Sequence, residues 1–202
     1  MDEDIQKYIW CMTEIKLRVA VIEEFLDGKR TTGQFPVDVE LLCLQFRLVL
    51  ELIALSSLCA NKDVYSQFRP MFNKDWNAKR IIAALEKANP NFYPEPTKQV
   101  IDEKTGRVVR VEKVTEPYLT KDAFIQVYDK CCDILHRHNP YNQHPDLMKV
   151  KELMPTWKDW ILKLLNHHQI QLVNSTMQLW VLMQAKEDGK VRVAEMQRTT
   201  KK

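Results

Sequence analysis

All five histidines of the chain fall between positions 136 and 168. Three lie in the run Leu135-His136-Arg137-His138-Asn139-Pro140-Tyr141-Asn142-Gln143-His144. Imidazole is the side chain that titrates nearest neutral pH. A guanidinium can hold a phosphate through paired hydrogen bonds. Arg137 and His144 converging on one phosphodiester would therefore make an RNA-cleaving pair. The imidazole would take or give a proton at the ribose 2′-hydroxyl or the leaving oxygen, and the guanidinium would stabilise the charge building on phosphorus. The plainer reading of the same residues is a polar helix terminus, where the dipole favours His and where Asn-Pro is ordinary loop chemistry. His136, which follows Leu135, reads as a satisfied histidine facing the core. A zinc set drawn from His136, His138 and one of His144, His167 or His168 lacks a Cys or carboxylate at zinc-ligand spacing. His136 and His138 would also diverge on a helix, so neither metal nor cofactor is expected.

On these residues the chain resembles the HEPN superfamily of helical RNA-processing proteins. That motif is an Arg, commonly followed by a polar residue such as Asn, Asp or His, and then a His after four to six intervening residues. Here His138 follows Arg137, and His144 comes after six intervening residues. The resemblance implies a compact helical bundle, often dimeric, with two motifs set face to face. It implies a metal-independent endoribonuclease, often a toxin or antiviral effector, with Arg137, His144 and His138 at the site. An acidic or polar residue on an earlier core helix often assists in that family, and Glu51 matches the place. The competing reading is a non-enzymatic module that binds a protein or a nucleic acid within a defence or toxin–antitoxin assembly. The expected partners are accordingly RNA and a second copy of the chain or another protein.

Five helices are needed to position this cluster. Ile5, Tyr8, Ile9, Met12, Ile15, Val19, Ile22 and Leu26 recur at helical spacing over residues 1–27, and Gly28 ends the run. A second helix over 39–60, N-capped by Asp38, is apolar on nearly every side and is expected at the centre. Its charged exceptions Glu40, Arg47 and Glu51 share one narrow stripe, and Arg47 with Glu51 reads first as a buried ion pair. A third helix is expected over 77–88, and a fourth opens at Thr120 and ends at Asn139-Pro140. The stretches 147–153 and 157–165 look helical with a break at Pro155. Two β-hairpins complete the picture: an insertion over 98–115 turning at Gly106, and a C-terminal one over 169–198 turning at Asp188-Gly189. The fold class expected is a mainly α bundle of about five helices with two appended hairpins, forming one domain over 1–202.

Bulk properties set the limits. The chain has 202 residues, 45% hydrophobic and 28% charged, enough for a sizeable core without staples. A net charge of +3 is too mild to imply nucleic acid by itself. The basic residues Arg107, Arg110, Lys113 and Arg192 of the hairpins are the candidates for tracking a phosphate backbone, with a solvated hairpin face as the plainer reading. Five cysteines without a CxxC pair suit core thiols in a reducing compartment. The acidic start Met1-Asp2-Glu3-Asp4 is unlike a secretory leader, and Arg47 and Glu51 interrupt the most apolar stretch, so a cytoplasmic protein away from the membrane is expected. The four glycines have no phosphate-cradling spacing, and no Gly-x-Ser-x-Gly elbow occurs.

Overall fold

A computed structural model describes residues 3–61, 77–136, 141, 144–173 and 175–197. Among these it holds five helices, α1 (Glu3–Leu26), α2 (Phe35–Ala60), α3 (Ala78–Ala88), α4 (Lys121–Leu135) and α5 (Leu147–Leu165). It also holds five strands, β1 (Glu95–Ile101), β2 (Val108–Lys113), β3 (His167–Gln171), β4 (Met177–Leu182) and β5 (Arg192–Gln197).

Most helix ends follow from local chemistry. Glu3 and Asp4 sit in the first turn of α1, where the dipole favours them. Gly28, at φ 71°, takes the left-handed position past its end, a conformation that L side chains rarely adopt. Asn77 accepts from the backbone N–H groups of Lys79 and Arg80, Thr120 from that of Ala123, and Asp146 from that of Lys149. α2 starts earlier than its apolar pattern suggests. Pro36 occupies the first turn, and Asp38 lies inside the helix instead of capping it. The Asp38 carboxylate reaches back to the Thr31 hydroxyl at 2.6 Å and to the Thr32 N–H at 2.7 Å. α5 runs unbroken through Pro155. Its buried positions Val150, Met154, Trp157, Ile161 and Leu164 keep helical spacing across the proline, so tertiary burial outweighs one missing backbone bond.

The helical bundle with two appended hairpins is not what forms. The strands make one antiparallel sheet in the order β2-β1-β3-β4-β5, curled into a half-barrel, and the fold is α+β. β3 joins the two expected hairpins, pairing with β1 at Glu95↔Gln169 and Pro96↔His168 and with β4 from His167↔Leu182 to Gln171↔Gln178. Side chains alternate across the sheet. His168, Ile170, Leu179 and Val181 are buried on the face toward the helices. The opposite face carries a transverse row, Lys113, Thr97, His167, Leu182 and Arg192, one residue from each strand.

α2 is the centre of the helical layer and packs against α1, α3, α4 and α5. It has the length and apolarity of a membrane span, yet most of that span is buried inside the protein. Phe46 meets Trp157 of α5 edge-on at 5.5 Å between centroids. Where α2 ends, buried Asn89 ties three elements together. Its amide donates to Asn61 Oδ1 at 2.9 Å and to the Gln171 carbonyl at 2.9 Å. Asn89→Ala is expected to cost about 1–3 kcal/mol, because buried partners then go unpaired; an unchanged urea midpoint would contradict that role.

Candidate functional site

Two helices border the histidine cluster. Tyr128 of α4 donates to Glu51 Oε1 of α2 at 3.4 Å, and Cys131 lies against Cys43. As residue numbers rise along α4 they fall along α2, so the helices are antiparallel. The end of α4 therefore lies beside the start of α2. There Lys151, in the second turn of α5, stands 5.3 Å from the Phe35 ring centroid and close enough to Asp38 to lower its carboxyl. The largest cause of that lowering is the Thr31 hydroxyl bond. Three helix ends thus meet: the C-terminus of α4 and the N-termini of α2 and α5.

Of the histidines in the cluster, His136 and His144 are described at this junction. His136 closes α4, its N–H bonded to the Cys132 carbonyl at 3.1 Å and its own backbone extended. It is exposed, contrary to the expectation of a core histidine, because the helix stops at Leu135 and not at Asn139-Pro140. His144 is exposed and stands two residues before Asp146, the N-cap of α5. It is not packed under a hairpin. Arg137 and His138 lie outside the described residues.

The charged stripe of α2 is real. Arg47 Nε donates to Glu51 Oε1 at 2.9 Å, and the Arg47 guanidinium carbon is 5.8 Å from the Tyr128 ring centroid. Burial, and then the nearby Glu51 carboxylate, push the Tyr128 phenol up. The pair is part-buried, with 34% of the Arg47 side chain exposed and 15% of Glu51. Tyr128 is eight residues before His136, a rise of about 12 Å. Glu51 therefore lies about two turns from the junction, whereas Glu40, on the same stripe, lies near it. The signal for Glu40 was present in its spacing from Arg47 and Glu51, but the sequence does not reveal which end of α2 meets α4.

The basic residues of the strands do not form one edge. Lys113 is on the outer strand β2 and Arg192 on the outer strand β5, with three strands between them. Each has an acid: Lys113 pairs with Glu95, Arg110 with Glu112 at 2.8 Å, and Arg192 with Asp188 at 2.8 Å. Arg107 lies in the turn before β2 and is exposed.

The remaining two histidines are structural. His168 is fully buried. Its Nδ1 lies 2.7 Å from the Leu165 carbonyl, which can only accept, so Nδ1 carries the proton. Nε2 then accepts from the Tyr8 hydroxyl at 2.6 Å. Burial holds the His168 pKa down at about 4 and pushes the Tyr8 phenol up. His167 points to the other face, where its Nδ1 is 2.6 Å from the Thr97 hydroxyl and its ring meets Trp180 edge-on. Burial lowers its pKa too. Both ring nitrogens of His168 are thus taken, which removes it from the zinc set considered above, and among the described residues no group of three His, Cys, Asp or Glu side chains is placed to hold a metal. The five cysteines are free thiols, and Cys11, Cys43 and Cys131 are buried. No protein-family model, curated protein or solved structure matches this chain.

Proposed function

We propose that the protein is a HEPN-like, metal-independent endoribonuclease of the cytoplasm, with Arg137 and His144 as the pair that acts on the phosphodiester. The observation that carries the reading is the junction. His136 closes α4 and exposed His144 stands two residues before the N-cap of α5, so both described histidines border the junction at the start of α2. The positive end of the α5 dipole and the Lys151 ammonium favour an anion there. In this reading Arg137 holds the phosphate, His144 moves the proton, and His138 stands beside Arg137 as a second imidazole. Glu40 is better placed than Glu51 to orient one of them. A second copy of the chain, facing the first, would bring a second pair to the same RNA.

The test is incubation of the purified protein with mixed RNA in EDTA. Cleavage by the wild type is expected. Its absence, with and without divalent metal, would sink the reading. A second reading is favoured by one observation. Trp10 and Leu17 of α1 lie two turns apart on one stripe and are 58% and 59% exposed, an apolar display that suits a protein-binding module.

A further inference from the structure

Three glutamines share the sheet face that looks away from α1 and α2. Gln169 and Gln171 are on β3 and Gln178 is on β4, with Gln171 opposite Gln178 and Gln169 opposite Trp180. Two of the amides are locked. Gln171 Nε2 donates to the Ser175 carbonyl at 2.7 Å and the Met177 carbonyl at 3.1 Å, and its Oε1 accepts from Gln178 Nε2 at 3.2 Å. The Trp180 indole N–H, 3.4 Å from Gln178 Oε1, completes the chain. Gln169 differs: it is half-buried, and among the described residues no hydrogen bond ties its amide. All three border a cleft of about 410 Å³. Tyr93 and Tyr118 form one wall, and the ion-paired Glu95 and Lys113 another. The Tyr93 hydroxyl donates to the Leu119 carbonyl at 2.9 Å, which fixes that wall.

We propose that this cleft binds a nucleobase, adenine by preference. A carboxamide offers one donor and one acceptor side by side, the complement of the amino and ring-nitrogen edge of adenine. Gln169 has both groups open, and its neighbours cannot turn to take them because their own bonds hold them. Aromatic walls suit a flat ring. A lipid chain does not suit a lining made mainly of polar side chains, and a bare phosphate does not suit a cleft whose lysine already faces a carboxylate. The base comes either from an unpaired nucleotide of an RNA strand or from a free nucleotide. The inference concerns binding on the sheet face and stands whether or not the chain cleaves RNA.

The test is calorimetric titration of the wild-type protein, Gln169→Ala and Gln169→Glu with AMP, UMP, a short oligoadenylate and a short oligouridylate. Adenine ligands are expected to bind about tenfold or more tightly than uracil ligands, and both substitutions to weaken adenine binding by about tenfold or more. Binding of AMP would show a base read by itself. Binding of the oligoadenylate alone would show a base delivered by a strand, and either result supports the site. Failure of both adenine ligands to bind at millimolar concentration, or wild-type affinity in both Gln169 variants, would overturn it.

Discussion

His144→Ala and Arg137→Ala are each expected to lower RNA cleavage by about 10²–10⁴-fold while leaving the protein folded. A positioned proton carrier contributes on that order to a reaction that must deprotonate a hydroxyl and protonate a leaving oxygen. Loss of a charge stabiliser at phosphorus costs a comparable factor. The double variant should fall little below the worse single one, because two groups that act on one transition state are not additive. His144 is exposed at a helix approach, so its removal opens no core cavity, and the urea midpoint should hold. His167→Ala and His168→Gln provide the contrast: they should lower stability in proportion to burial without a specific loss of rate per folded molecule. Full activity in both His144→Ala and Arg137→Ala would end the assignment of the pair.

Lowering the pH from 7 to 4 is expected to remove about 3 kcal/mol of folding stability through His168 alone. In the unfolded chain this imidazole titrates at its ordinary value of 6.5, and in the folded protein at about 4. Between those values the unfolded state takes up a proton that the folded state refuses, so stability rises with pH across the window. The contribution is complete above 6.5, falls away as the pH drops toward 4, and changes no further below it. The size follows from the gap, at 1.36 kcal/mol per unit. His167 is shifted in the same direction and adds to the slope. The lowered carboxyls of Asp38, Asp102, Asp146 and Asp188 act below their ordinary value of 3.8, outside most of this window. Urea unfolding at a series of pH values should show the slope in the wild type and a much flatter line in His168→Gln. Equal slopes in the two proteins would contradict it. Tyr8→Phe, which leaves Nε2 without its donor, should cost about 1–3 kcal/mol at neutral pH.

What could be read in the chain beforehand was local. Ile15, Val19 and Ile22 announced the buried face of α1, Thr120 announced its cap, and Gly106 announced the first hairpin turn. Arg47 and Glu51, one helical turn apart, announced their ion pair. What could not be read was long-range. His167 to Gln171 has polar residues at four of five positions, so nothing in its pattern marks it as the strand that unites the sheet. Its partner β1 lies some seventy residues away, as the Thr97–His167 bond shows. His168 looked like spare chemistry beside His167 because its partner, Tyr8, is 160 positions distant. The basic residues were visible as charges, but the acids that answer them are placed by turns and by strand register. Pro155 looked like a break because a proline is a local signal, and the packing that overrides it is not.

The Tyr8–His168 bond also bears on how the molecule comes to be made. A chain that emerges from the ribosome N-terminus first presents α1 and α2 early, with the Tyr8 hydroxyl facing a place that nothing yet fills. The imidazole that completes it arrives only after α5 has formed, since α5 runs into β3 through the single residue Asn166. β1 and β2 wait as a two-stranded ribbon until the same moment, and such a ribbon is marginal by itself. Completion of the helical core and closure of the sheet are thus one late event, and a ribosome stalled before β3 would display both a core phenol without its histidine partner and an unpaired strand edge to whatever chaperone is near.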